Sequence, residues 1–182
     1  MQWDSSLEIL TQPFQHVPHN VRMDFVELSK QRAVSGMEFF LRNFSYVPDD
    51  KLHWTPTPTS KSAIRIAAHT ALYAGRFAKM IMARQLPQPE NLDEWVAANN
   101  AEEVAITTRE EMERVFRQGT ADVLAALDTL TEEEVESTLQ SGQGWSMPMT
   151  QLIGLPGWHA TLHAGQIDYL QTCWDDQRVY VE

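Results

Sequence analysis

At 182 residues, 43% of them apolar and 21% charged, the chain reads as one soluble domain long enough to bury a real core. A net charge of −11 with only weak lysine and arginine clusters argues against nucleic acid and anionic membrane surfaces as partners, since both are bound through cations. No apolar run reaches the roughly 18–20 residues of a membrane span, no basic-then-apolar leader is evident, and the single cysteine, Cys173, allows no internal disulfide; the expected setting is a reducing cytoplasm.

The charge is uneven. Residues 1–86 carry +3, residues 87–140 carry −11 and residues 141–182 carry −3. The acidic middle reads as a solvated helix pair that keeps the protein soluble.

After a proline-flanked arm over residues 1–19, the run "NVRMDFVELSKQRAVSGMEFFLRNF" is the first periodic segment. Asn20 suits an N-cap, and Val26, Ala33, Met37, Phe40 and Phe44 recur at the spacing of one helix face. The prolines, serines and threonines of "SYVPDDKLHWTPTPTSKS" predict a loop. A second, alanine-rich helix follows from Ser62, with Ala63, Ile66, Ala67, Thr70, Ala74, Phe77 and Ile81 as its buried stripe. His69 falls beside that stripe, in a row with Ile66, Tyr73 and Met80.

A Pro-rich connection comes next, with a short helical turn expected around Leu92 to Ala98. The third long helix is predicted over Thr107 to Leu130, with Met112, Val115, Phe116, Val123, Leu127 and Leu130 on one face. Glu110 and Glu111 suit the positive end of its dipole. A Gly-rich loop leads to the last helix, which either starts near Leu155 with Pro156 in its first turn or starts from Pro148 and kinks at Pro156; the kinked form is the preferred reading. From Trp158 onward, His159, His163, Gln166, Ile167, Leu170 and Trp174 share a face. Strand signals are almost absent. Four long amphipathic helices without strands predict an all-α four-helix bundle in a single domain, residues 1–182.

His159 and His163 stand four apart, a spacing that brings two imidazoles to one side of a helix, where both can reach one ion. On spacing alone the commoner outcome is a pair of ordinary histidines, one at the bundle edge and one bonded to a carbonyl. The segment is "HATLH", with no glutamate inside the pair, so the zinc-protease pattern is not met. A third ligand has to come from elsewhere. His16 and His19 belong to the arm and His53 to a loop, which leaves His69, by itself more often a boundary residue than a ligand. The three together make a tri-histidine face of the kind bundle cores can build.

"LHWTPTPTSKSAIRIAAHTALYAGRF" and "WHATLHAGQIDYLQ" resemble the signatures of the DinB-like (YfiT-like) superfamily of metal-dependent four-helix bundles. Trp54, Pro56 and His69 match its Trp-x-Pro loop and single histidine, and His159, His163 and Gln166 match its H-x-x-x-H-x-x-Q helix. The resemblance implies that His69, His159 and His163 bind a divalent metal, most often zinc or nickel, with water in the remaining positions. It also implies a low-molecular-weight thiol as cosubstrate, since the family includes thiol S-transferases and a thiol-dependent isomerase. Two features depart from the pattern: Pro156 and Gly157 lie close ahead of the pair and would tilt the helix, and the N-terminal arm is long.

Gln166 is expected either to orient a group at the site or to bridge helices, and Tyr73 either to bond a ligand or, more simply, to pack in the core. Cys173 reads as a buried structural thiol, and Trp158 as packing or a dimer contact. No protein nucleophile, phosphate loop or acid–base carboxylate near the histidines is evident, so no nucleotide cofactor is expected. The leading expectation is a metal-dependent transferase or hydrolase acting on a small molecule. The alternatives are a non-catalytic metal- or ligand-binding protein and a stress-response interaction module. A homodimer through a helix face is compatible with the six tryptophans but has no located interface.

Overall fold

A computed structural model of the chain describes residues 19–180, with side chains from Phe25 onward. Residues 1–18 of the expected arm, His16 among them, and the side chains of His19 and Asn20 lie outside the described residues. The elements are α1 (His19–Ser45), a 3-10 turn (Asp49–Lys51), α2 (Ala63–Ala83), α3 (Leu92–Ala105), α4 (Arg109–Leu127), α5 (Glu132–Val135), β1 (Thr138–Gln140), β2 (Ser146–Pro148) and α6 (Met149–Thr172). Helix α1 is already formed at His19, so Asn20 lies inside it rather than capping it.

Helices α1, α2, α4 and α6 form the four-helix bundle. Helix α1 packs along α6 and α4, and α2 packs along α4 and α6, so the sequence neighbours α1 and α2 stand on a diagonal. That arrangement needs the long 46–62 connection across one end of the bundle. Two glycine contacts set the closest crossings. A Cβ on Gly36 of α1 would sit 2.8 Å from the Gly157 carbonyl oxygen of α6, and one on Gly119 of α4 would sit 2.7 Å from the Gly75 nitrogen of α2. At both crossings the backbones touch, which no larger side chain permits.

The core fills the space between these crossings. Phe40, Phe44, Phe116 and Ile167 pack at one end, and Phe77, Ile81, Leu127 and Ile153 at the other. Arg109 closes the first end, its guanidinium on the carbonyls of Phe44 and Val47 and over the Phe44 ring. Arg84 closes the second. It ends α2 in the left-handed conformation and reaches the Thr129 carbonyl at 2.7 Å and both Glu134 carboxylate oxygens at 3.0 and 2.8 Å.

Helix α6 is continuous from Met149, with Pro156 inside it, so the longer of the two expected helices is the observed one. Pro156 has no N–H for the Leu152 carbonyl, the local cause of bending in such helices. Gly157 is the α1 contact. Four expectations are corrected. Helix α3 runs fourteen residues rather than one turn, because the Asn91 side chain accepts from the Asp93 and Glu94 nitrogens and starts a full helix. Residues 138–148 form an antiparallel hairpin, Leu139 opposite Met147, where only a loop is legible in the sequence. Helix α4 is shorter than expected and leaves Leu130 beyond its end, and α6 stops before Trp174, which packs edge-on against Trp54 at 5.7 Å.

Candidate metal centre

Helix α2 supplies His69 and α6 supplies His159 and His163, and the two helices are bundle neighbours at this level. The three rings close on one another. His159 Nε2 lies 3.3 Å from His69 Nε2 and 3.0 Å from His163 Nε2, and one nitrogen from each ring fits within a 4.8 Å span. All three are half-buried.

Outer partners decide which way each ring faces. His69 Nδ1 is 2.6 Å from the Glu103 carboxylate, which at neutral pH only accepts, so Nδ1 carries the proton and Nε2 a lone pair. His163 Nδ1 donates in the same way to Gln166 Oε1 at 2.7 Å. Burial lowers the pKa of His69 below its ordinary value against the pull of Glu103, and lowers His163 against its bond to Gln166. His159 falls to about 3, through burial first and then the neighbouring histidines. At neutral pH the cluster is therefore three neutral imidazoles, and lone pairs from at least two meet at one point.

That donor set suits a divalent cation. Two nitrogens bonded at about 2.0–2.1 Å to one ion, some 90–110° apart, stand about 2.9–3.4 Å from each other, and the two measured separations fall in that window. Without an ion, a single proton on His159 Nε2 can satisfy at most one of its two neighbours, and the other Nε2 lone pair finds no donor within the cluster.

Glu103 is what the sequence did not disclose. It lies in the last turn of α3, 2% exposed, and also accepts from Lys61 Nζ at 2.6 Å, with Arg65 at 3.6 Å. Burial alone would raise its pKa; the bonds from Lys61 and His69 outweigh that and leave it lowered. It is thus an ionised carboxylate against the histidines, correcting the expectation that none is near. The available signal was its position, because a glutamate at the negative end of a helix dipole is misplaced unless cations hold it.

The remaining candidates sort cleanly. Gln166 is exposed and bonds its own helix partner His163 rather than bridging helices. Tyr73 is half-buried and packs against the core as expected, beside Phe77, while its ring also lies 4.4 Å from His69 and 5.1 Å from His159, so it lines the cluster too. His53 is exposed and takes no part. Trp158 is 59% exposed, which removes the packing reading. Cys173 is exposed because α6 ends at Thr172 and turns it outward, contrary to the buried thiol expected. Trp54 serves the bundle end, and from the same connection Lys61 reaches the site.

The fold and the cluster together define a four-helix-bundle protein with histidines of two neighbouring helices converging between them. The chain belongs to the DinB superfamily, whose family model matches residues 37–167. Among solved structures it is similar to a mycothiol-dependent maleylpyruvate isomerase (TM-score 0.61, 15% identity, 78% of this chain). It spans 60% of that protein's length. It is also similar to the DinB-like protein YjoA of Bacillus subtilis (TM-score 0.60, 17% identity, covering 85% of this chain and 96% of that one). A further neighbour is YfiT of Bacillus subtilis, described as a probable metal-dependent hydrolase with an unusual four-helix bundle topology (TM-score 0.53, 15% identity, 90% and 93% covered). At these identities the likeness establishes the fold. No curated protein matches the chain. Among the described residues no helix is long and apolar enough to cross a membrane.

Proposed function

We propose that His69, His159 and His163 hold one divalent cation, zinc or nickel, through their Nε2 atoms. On this reading the chain is a single-domain enzyme that transfers a low-molecular-weight thiol or hydrolyses a small substrate. The observation that carries the reading is the convergence of neutral, lone-pair-bearing imidazoles whose outer nitrogens are already committed to Glu103 and Gln166.

A cation bound there acts as a Lewis acid, lowering the pKa of a coordinated water or thiol. The protein's own groups do the positioning. Glu103 fixes the His69 tautomer, and Gln166 that of His163. Lys61 keeps Glu103 ionised, so its part is orientation rather than proton abstraction. Lys61 and Arg65 against one carboxylate leave surplus positive charge beside the histidines, which favours an anionic thiolate or hydroxide. The solved neighbours named for a thiol-dependent isomerase and a metal-dependent hydrolase support the two reaction classes.

Metal content by mass spectrometry on tag-free protein tests the site. About one equivalent of zinc or nickel in wild type, lost in His163→Ala, is the expected result. No metal in either protein after reconstitution overturns the proposal.

A further inference from the structure

Beyond the histidines, α2 and α6 border a cavity of about 400 Å³. Phe77 and Met80 of α2, Leu86, Trp95 of α3, Trp145 of the hairpin loop and Leu155 of α6 line it. Among the described residues no charged side chain does so, and the one polar side chain is Gln143. Trp145 is 47% exposed and Trp95 half-buried, so two indoles stand at the rim. The volume falls in the range of small-molecule sites and is too small for a packed helix.

The cavity and the histidines share a wall. The Phe77 ring that lines the cavity packs edge-on against His159 at 5.4 Å and against Tyr73 at 5.8 Å. Leu155 stands one turn before His159 on α6, and Met80 two turns beyond Tyr73 on α2. The residues along that seam, Tyr73, Met80, Leu155 and His159, are all half-buried, so none of them is sealed in the core.

We infer that this cavity is the subsite for the uncharged, apolar body of the substrate, an aromatic or alkyl group about the size of two fused rings. This rests on the metal-site reading for its link to chemistry. Its occupant is uncharged because nothing in the wall would neutralise a charge, and desolvating an unpaired one is prohibitive. It is apolar because two indoles, prolines, two methionines and a phenylalanine offer dispersion and ring faces rather than hydrogen bonds. The charged or reactive end of the same molecule extends along the seam toward the histidines, where Lys61 and Arg65 lie.

The test is titration of the neutral fluorophore N-phenyl-1-naphthylamine, with zinc content measured on the same samples. Wild type is expected to bind one equivalent with a Kd on the order of 10 µM. Met80→Glu should weaken binding at least tenfold and Trp145→Ala at least threefold, with zinc content and helical circular dichroism unchanged. Trp158→Ala, an exposed tryptophan outside the cavity, should bind as wild type does. Zinc bound without saturable probe binding overturns the cavity proposal alone. Probe binding in protein that takes up neither zinc nor nickel on reconstitution overturns the metal site and leaves the cavity a ligand site. Equal affinity in wild type and Met80→Glu, or binding that appears only after deletion of residues 2–18, overturns the subsite, the latter because the chain's own segment would then be its occupant.

Discussion

Glu103 Oε1 and His69 Nδ1 stand 2.6 Å apart, although they lie on different helices 34 positions apart in the chain. The bond makes α3, otherwise a solvent-facing crossover, part of the site. It also explains how a histidine beside the buried stripe of α2, rather than in it, comes to face inward.

Glu103→Gln keeps the shape and an acceptor for His69 but removes the charge, and Glu103→Ala removes both. Orienting groups of this kind change metal affinity by about 10–100-fold. The expected order is a loss of about tenfold for Gln and nearer a hundredfold for Ala, read by competition against a chelator of known affinity. Equal affinities for wild type and Glu103→Ala would leave the carboxylate with a purely structural part.

Gly157 joins the site to the bundle. A Cβ there would fall on the Arg32 backbone carbonyl, well inside van der Waals contact, and no side-chain motion relieves it. Gly157→Ala should destabilise the fold by about 2–3 kcal/mol, the cost of forcing a packed crossing apart. Gly154, on the same helix with nothing within 4 Å of its added Cβ, is the control. Gly154→Ala should gain up to about 1 kcal/mol from helix propensity alone. Urea denaturation of both variants reads the contrast; two losses of similar size would place the cost in the helix itself and not in the crossing.

The bundle was legible because each of its helices repeats its apolar spacing over many turns. Hydrophobic residues such as Ala33, Phe40, Ile81, Val123 and Ile167 are buried where periodicity puts them. Helix α3 is hard to see in the sequence for the opposite reason: its buried residue is Glu103, so it has no apolar stripe to count. The hairpin strands are three residues each, too short for alternation to show. At the site, the i, i+4 pair and the family signature point to three histidines whose rings do meet. The partners that orient them divide by distance. Gln166 is local and was visible as a candidate, whereas Glu103 depends on how α3 crosses α2, which no local pattern records. Pro156 and Gly157 looked like a disturbance of the site, yet Gly157 is a requirement of the α1–α6 crossing.

Cys173 should react in the native protein. Its side chain is exposed at the end of α6, its sulfur held among the described residues by one weak contact, to the Tyr169 carbonyl at 3.5 Å. Titration with a chromogenic disulfide should consume one thiol per chain without denaturant, at a rate within about tenfold of a free cysteine peptide. A thiol released only on unfolding would restore the buried reading.

Stability at acid pH should depend on Glu134. Hydrogen bonds from Arg84 first, then from the Thr131 backbone, lower its carboxyl from 4.5 to about 2 in the folded protein. The unfolded chain therefore takes up the proton more readily, and folding is favoured by the ionised form. The sign follows directly: this contribution is fully present above about pH 4.5 and fades as pH falls toward 2. Glu134→Gln removes the titration, and with it the anchor between the left-handed end of α2 and the capping box of α5. Urea midpoints measured from pH 6 to pH 3 should show wild type above the variant at pH 6, the two converging as the pH drops. Curves that stay parallel through that range would mean that Glu134 does not titrate with the fold, and that Arg84 holds the α2 end through Thr129 and the Ile81 and Met82 carbonyls.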